Sequence, residues 1–302
     1  MDNIKKFSIG CDIGGSHISC AIVDVASGHI EENSLVSLKV DNSSRSEIIL
    51  KSWTEAILLC KKQVPSEGKF LGVGIAIPGP FDYVNGIGLY DNSNQKFVHL
   101  KDINLRNALS DSLKLESEKI KFINDATAFA LGSYWYGSGK GYKKMVTITL
   151  GTGFGSSFIE EGKAIDEGTT VPDNGCLWHI PYKDGIADDY FSTRWFVEKY
   201  KDLYNIKVEG VRTIAEMADE GNVNALELFK LFGENLADCL AQHLKNFEAE
   251  VIVLGGNIAE AYALFEPSFL KGLKNRKVKP DIKVSILKEK AAMLGAAALF
   301  KG

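Results

Sequence analysis

Apolar residues alternate with small or polar ones in two short segments near the start of the chain, residues 7–11 and 18–22. A period of two is typical of paired strands, because successive side chains of a strand point to opposite faces of the sheet. Gly14 and Gly15 lie between the two segments and permit a sharp turn. The pattern therefore predicts a β-hairpin.

The rest of the chain alternates between helical and strand-like patterns. We predict strands over residues 70–77, 121–125, 145–150, 156–160, 250–254 and 283–287, and helices over residues 48–60, 126–136, 188–200, 223–247 and 291–300. A second glycine-rich turn separates the strands at 145–150 and 156–160, so the strand–turn–strand unit occurs twice. This duplication indicates two related halves around a cleft, which a hinge would allow to close over a substrate.

The first glycine turn has the composition of a phosphate-binding loop. Gly14 and Gly15 allow backbone amides to approach an anion, and the Ser16 hydroxyl can donate to phosphate. Asp12, at the end of the first strand, can hold Mg²⁺ through water. An ordinary Gly-Gly hairpin turn would have the same local sequence. A dinucleotide fingerprint and a P-loop do not fit, because each opens a helix whereas this turn opens a strand.

Composition narrows the function classes. The chain has 302 residues, 45% of them hydrophobic and 25% charged, which suffices for two globular domains. Its net charge of −4 argues against nucleic acid or an anionic membrane as the main partner. Since no apolar run reaches about 18 residues and no signal peptide is recognisable, we expect a cytoplasmic protein. Five cysteines without a Cys-x-x-Cys pair indicate reduced thiols.

Five motifs resemble, in their order and spacing, those of ROK-family sugar kinases. They are Asp12-x-Gly14-Gly15-Ser16, Gly72-x-Gly-x-x-x-Pro78-Gly79-Pro80, Asn124-Asp125-Ala126, Leu150-Gly151-Thr152-Gly153 and Leu254-Gly255-Gly256-Asn257. The resemblance covers nearly the whole chain. It implies an α/β fold of two ribonuclease-H-like (actin-like ATPase) domains around a cleft, the first over residues 1–118 plus 290–302 and the second over 119–289. It also implies ATP with Mg²⁺, a hexose or amino sugar as acceptor, and a homodimer.

The resemblance also implies roles for single residues. Asp125 would be the general base that accepts the proton of the attacking sugar hydroxyl. Local sequence alone favours another role for Asp125, as the N-cap of the helix that follows it. The other implied contacts with the sugar are Gly79, Asn124 and Asn94, with Asn92 as the alternative to Asn94. Gly151, Thr152 and Gly153 are implied for phosphate, and Gly255, Gly256 and Asn257 for the nucleoside.

The acceptor side departs from the family pattern. Cys176 stands where the family has its first sugar-binding Glu, Trp178 replaces a Gly, and the zinc cysteines are missing, while His179 and Asp188 remain as implied sugar contacts. Tetrahedral zinc needs about four ligands, so we predict no structural zinc. We also predict weak binding of plain glucose. Two function classes stay open: a sugar kinase of altered acceptor specificity, and a weakly active or non-catalytic sugar- or nucleotide-sensing protein.

Overall fold

The computed structural model describes residues 4–91 and 96–301. The strands are β1 (Lys6–Ile13), β2 (His17–Asp24), β3 (Val36–Lys39), β4 (Lys69–Ile77), β5 (Phe81–Asp82), β6 (Ile87–Gly88), β7 (Ile120–Asn124), β8 (Lys144–Leu150), β9 (Phe154–Glu160), β10 (Lys163–Ile165), β11 (Pro181–Tyr182), β12 (Gly185–Ile186), β13 (Val251–Gly255) and β14 (Asp281–Val284). The helices are α1 (Ser46–Lys61), α2 (Leu105–Leu113), α3 (Asp125–Tyr136), α4 (Ala187–Tyr190), α5 (Thr193–Tyr204), α6 (Val211–Asp219), α7 (Val223–Phe247), α8 (Tyr262–Asn275) and α9 (Lys290–Ala297).

The first large sheet has the strand order β3-β2-β1-β4-β7. The predicted hairpin is confirmed, because β1 and β2 pair antiparallel from Phe7 opposite Asp24 to Ile13 opposite Ile18. Strand β3 continues antiparallel, whereas β4 and β7 run parallel to β1. The apolar residues of these strands are buried, together with those of α1 and α2, in one hydrophobic core.

The second large sheet repeats this order as β10-β9-β8-β13-β14. Strands β8, β9 and β10 form an antiparallel meander, and β13 and β14 run parallel to β8. A separate core surrounds this sheet and includes the inner face of α7. The duplication predicted from the two glycine turns is therefore present as two sheets of the same topology.

The chain divides into two compact units. One consists of Met1–Gly137 and Glu289–Gly302, and the other of Ser138–Lys288. This division differs from the predicted one at residues 119–137 and at residue 289, which lie in the first unit. The reason is sheet pairing: β7 bonds in parallel to β4, with Ile77 opposite Asn124.

The C-terminal helix α9 packs directly on the first sheet and on α3. Gly10 and Gly74 make this approach possible, since a Cβ would lie 2.0 Å from the Met293 carbonyl oxygen at Gly10 and 1.9 Å from that of Ala296 at Gly74. The buried Ser8 hydroxyl donates to the Ala297 carbonyl (3.1 Å). Three positions in two strands thus hold the last helix against the sheet of the first unit.

Two predicted elements differ from the structure. The predicted helix over 188–200 is broken, because Ser192 is extended and α5 begins after it. The last predicted strand lies earlier in the chain, as β14. In residues 4–91 and 96–301 no helix combines the length and apolar character that crossing a membrane requires.

Candidate active site

Three parallel strands of the first unit end at the same edge of their sheet. Asp12 lies near the end of β1, Gly79 follows β4, and Asp125 follows β7. The register pairs Asp12 with Ala76 and Ile77 with Asn124, so these ends are level. Ligands of parallel α/β sheets bind outside the carboxyl ends of the strands. This edge therefore brings the predicted base, metal ligand and sugar loop together.

Helix α3 begins at Asp125, and its N-cap is Asn124. The Asn124 Oδ1 accepts hydrogen bonds from the amides of Ala126 (3.0 Å) and Thr127 (3.2 Å). The capping role that local sequence favours for Asp125 is thus carried mainly by its neighbour. The Asp125 carboxylate accepts hydrogen bonds from the Ala126 amide (2.9 Å), from its own amide and from the Asn124 side chain. One of its oxygens is therefore oriented by the helix start while it retains further acceptor capacity.

Negative charge is concentrated around Asp12. Burial raises the pKa of its carboxyl to about 6, and repulsion from Asp125 and Glu289 acts in the same direction. Burial also raises the pKa of Asp125, opposed by the Ala126 amide bond and by the charge of Lys96. Repulsion between these carboxylates lowers the stability of the protein when no cation is bound, and the same negative charge attracts a divalent cation such as Mg²⁺.

We expect Asp12→Asn to stabilise the nucleotide-free protein at neutral pH. The pKa of Asp12 is raised from 3.8 to about 6, so ionisation of this group opposes folding. The penalty grows as pH rises through this interval and is complete above it. The variant should gain about 1–3 kcal/mol of unfolding free energy at pH 7.5 and about a third of that at pH 4.5.

Urea denaturation of both proteins without Mg²⁺ or nucleotide measures this difference. A variant less stable than the wild type at pH 7.5 would contradict the electrostatic account. The same substitution should weaken Mg²⁺-dependent ATP binding, because it removes the carboxylate charge.

The hairpin turn after β1 exposes its backbone. The Gly14 amide donates to the His17 carbonyl (3.0 Å), and the Ser16 hydroxyl shares a hydrogen bond with His17 Nδ1 (2.9 Å). The Asn42 amide donates to the Gly15 carbonyl. Gly14 and Ser16 are exposed, so an anion has access to the turn.

Two tyrosines support the loop that contains Gly79. The Tyr90 hydroxyl donates to the Pro78 carbonyl (2.7 Å), and the Tyr83 hydroxyl donates to the Ile77 carbonyl (3.2 Å). Asn124 Nδ2 in turn donates to the Tyr83 hydroxyl (3.2 Å), and the Asn124 side chain also hydrogen-bonds to the Asp125 carboxyl. Asn94, the other predicted sugar contact, and its alternative Asn92 lie outside the described residues.

In the second unit, two glycine turns adjoin one another. Strands β8 and β13 are parallel neighbours, and Gly255 pairs with Thr149, so the turns at Gly151 and Gly256 follow the same sheet edge. Gly256 has φ +82°, and a Cβ there would lie 2.2 Å from the Leu150 carbonyl oxygen. Thr152, Gly153, Gly256 and Asn257 are exposed. The predicted phosphate and nucleoside loops therefore form one surface.

Asp188 connects this surface to residues 175–188, the predicted acceptor segment. Its Oδ1 accepts from the Phe154 amide (2.7 Å), and its Oδ2 lies 3.7 Å from Arg194 Nη2. The break between α4 and α5 lets Thr193 reach the same turn, where its amide and hydroxyl both donate to the Gly151 carbonyl (2.8 and 2.9 Å). Asp188 therefore organises the glycine turn, a role that the sequence did not reveal.

The acceptor segment has an aromatic surface. Trp178 is 50% exposed, and its ring lies 5.1 Å from that of His179, edge to face. An indole exposed to this degree does not fill the core. The Cys176 thiol donates to the Asn174 carbonyl (3.2 Å). Residues 176–179 thus offer a ligand both an apolar surface, from Trp178, and polar groups, from Cys176 and His179.

A short hairpin, β11–β12, joins His179 to Asp188. At its turn, Lys183 Nζ donates to Asn235 Oδ1 (2.7 Å) and lies 5.4 and 5.5 Å from the ring centres of Tyr182 and Tyr190. The Tyr182 hydroxyl donates to the Asn235 carbonyl (3.1 Å). These contacts fasten the hairpin to α7 and thereby position both predicted sugar contacts.

We expect Lys183→Ala to loosen this hairpin. Because Asn235 is 6% exposed and would lose its partner, the variant should lose about 1–2 kcal/mol of unfolding free energy. The KM for the sugar should rise severalfold while the KM for ATP stays constant. Lys277→Ala is the matched control, since Lys277 is also exposed and has a similar positive φ (+60° against +53°). Equal unfolding free energies and sugar KM values for the two variants would contradict the positioning role.

A family model described as the ROK family matches residues 8–302. The chain belongs to the ROK family. The prediction made from the five motifs is therefore confirmed, and with it the actin-like ATPase fold that the two repeated sheets display.

Two curated relatives match nearly the whole of this ROK chain. It is 27% identical to the glucokinase of Thermotoga maritima, covering 97% of this chain and 96% of that protein. It is 28% identical to the N-acetyl-D-glucosamine kinase of Haemophilus influenzae, with coverage of 96% and 98%. Among solved structures, a glucokinase from Parabacteroides distasonis shares the fold with a TM-score of 0.81 and 19% identity, covering 99% and 98% of the two chains.

Several residues at the edges of this ROK site carry no signal in the sequence. Tyr83 and Tyr90 look like ordinary apolar positions, and Thr193 lies within a predicted helix. Lys96 lies outside the five motifs. Each of these residues comes to the site through contacts distant in sequence.

Proposed function

We propose that this chain transfers the γ-phosphoryl group of ATP to a hydroxyl of a sugar. The names of the curated relatives, glucokinase and N-acetyl-D-glucosamine kinase, support this proposal. The observation that carries the proposal is the position of Asp125, level with Asp12 at the ends of parallel strands, with helix capping taken over by Asn124. A carboxylate so placed is available to accept a proton.

The first unit supplies a phosphate site suited to Mg²⁺. Mg²⁺ bound to a nucleotide takes one or two protein carboxylates and keeps several waters. Asp12 fits this requirement, because burial and the charges of Asp125 and Glu289 disfavour its ionised form in the absence of a cation, and a dication beside it would offset both effects. When bound, Mg²⁺ would withdraw charge from the polyphosphate. Within the described residues, no group of three or more His, Cys, Asp or Glu side chains is arranged to hold a metal ion.

Asp125 acts as the general base in this proposal. The sugar oxygen forms a bond to the γ-phosphorus while the bond from that phosphorus to the ADP oxygen breaks, and the electron pair leaves with ADP. The hydroxyl proton passes to the Asp125 carboxylate. A raised pKa suits this role, since a base is most effective when its pKa approaches the working pH.

We assign the turns of the second unit to the nucleotide. In the turn formed by Gly151, Thr152 and Gly153, the last two residues are exposed and offer their amides to phosphate oxygens, while the Gly151 amide donates to the Gly153 carbonyl and closes the turn. Gly255, Gly256 and Asn257 provide an adjoining surface for the nucleoside. The Asp188 and Thr193 bonds hold the first of these turns in place.

The acceptor is a sugar with an apolar substituent in place of a hydroxyl, such as a glycoside or a deoxy sugar. A neutral Cys176 thiol is a weak hydrogen-bond partner, and an unpaired buried hydroxyl costs about 1–3 kcal/mol. Plain glucose should therefore have a kcat/KM about 5- to 150-fold lower than the best acceptor. The exposed face of Trp178 offers a stacking surface for the apolar part.

A coupled ADP-release assay across hexoses, amino sugars, deoxy sugars and glycosides tests this function. We expect release with at least one acceptor and a poor response to glucose. Retained ATP binding without ADP release for any acceptor would favour a sensing protein. Elemental analysis should find no stoichiometric zinc, and light scattering should give the mass of a homodimer.

A further inference from the structure

Lys96 lies across the glycine turn of the first unit. A Cβ on Gly15 would lie 3.3 Å from Lys96 Cε and 3.5 Å from Cδ, so the end of the lysine chain follows the turn backbone. Because Gly15 has no side chain, this approach is open. Lys96 is itself exposed, which leaves the ammonium group accessible to a ligand.

The charge of Lys96 reaches the predicted catalytic carboxylate. Its field lowers the pKa of Asp125, against the raising effect of burial. Asp12, Asp125 and Glu289 otherwise make this edge of the sheet negative, and repulsion from the last two raises the pKa of Asp12. A polyphosphate brought here meets several carboxylates and needs protein cations in addition to Mg²⁺.

The residue directly after the turn, His17, has one of its two ring nitrogens engaged within the turn. His17 Nδ1 is engaged with the Ser16 hydroxyl (2.9 Å). Lys96 comes to the turn from a different part of the chain, 81 positions after Gly15 in the sequence.

We propose that the Lys96 ammonium binds the phosphoryl group that is transferred, and that Lys96 is a catalytic residue of this kinase. The inference rests on the proposed function. In the transition state, negative charge spreads over the three equatorial oxygens of the phosphoryl group, and a lysine ammonium at hydrogen-bond distance, about 3 Å, stabilises it as a point charge. Lys96 keeps its proton throughout, since Asp125 takes the proton of the sugar hydroxyl.

The test compares Lys96→Met, Lys96→Arg and the control Lys51→Met in the full chain. Lys51 is an exposed lysine on α1, so the control removes the same charge elsewhere in the first unit. With the best acceptor, Lys96→Met should lower kcat about 10²- to 10³-fold, whereas Lys96→Arg, which retains the charge, should stay within about tenfold of the wild type. Thermal denaturation of each variant verifies folding.

Calorimetry separates phosphate binding from a structural role. In the presence of Mg²⁺, Lys96→Met should weaken binding of a non-hydrolysable ATP analogue about tenfold and leave ADP binding unchanged, because only the analogue has a γ-phosphate. Equal losses for both ligands, or an unchanged kcat, would overturn the inference. If the wild type phosphorylates no acceptor, the proposed kinase function is wrong. The ratio of the affinities for the ATP analogue and for ADP, compared between Lys96→Met and the wild type, still decides whether Lys96 binds the γ-phosphate.

Discussion

Asp125→Asn should lower kcat by about 10²- to 10⁴-fold, the usual contribution of a positioned general base. The substitution retains the shape of the side chain but removes its capacity to accept a proton. An amide oxygen can still accept the bond from the Ala126 amide, and Asn124 still caps α3, so the helix start should be preserved. Nucleotide affinity should therefore change little, and the loss should appear in kcat rather than in KM for ATP.

Asp111→Asn is the matched control for this experiment. Asp111 is an exposed residue of α2 in the same unit, and its substitution makes the same change of charge and shape away from the site. Steady-state rates with saturating ATP and acceptor measure the effect. If Asp125→Asn turned over as fast as Asp111→Asn, Asp125 would not be the base.

Gly295→Ala should destabilise the first unit by about 3 kcal/mol or more. Helices α3 and α9 cross at Gly295, where a Cβ would lie 1.7 Å from the Ala128 carbonyl oxygen and 2.8 Å from the Gly132 amide nitrogen. Both neighbours are backbone atoms, so no change of rotamer relieves the clash and the helices must separate. Because α3 begins at Asp125, the same displacement should reduce phosphoryl transfer.

Ala292→Ser provides the control on the same helix. It also adds one heavy atom, but at a partly exposed position of α9, and should cost no more than about 0.5 kcal/mol. Urea denaturation monitored by tryptophan fluorescence compares the two variants. If Gly295→Ala were as stable as Ala292→Ser, helices α3 and α9 could move apart at no cost in stability, and the prediction would be wrong.

Local patterns were sufficient for most of the sheet structure. Period-two alternation predicted β1 and β2, and helical spacing predicted α1 and α7, because each of these elements has one buried face or is buried throughout. Helix α8 was not predicted, since Pro267 lies inside it. Strand β14 was misplaced, because three of its four residues are exposed and its burial pattern carries no alternation.

By itself, the sequence determined the order of the elements, the two glycine turns and the family, since these depend on spacing along the chain. Only the tertiary structure decided which residues share a site. Sheet pairing placed residues 119–137 in the first unit, Asn124 took the cap that local sequence favours for Asp125, and Asp188 proved to hold the Phe154 amide. Lys96 likewise reaches Gly15 only in the folded chain. The Asn124 cap is local, but the other contacts join residues far apart in sequence, and no local period or propensity encodes such a pairing.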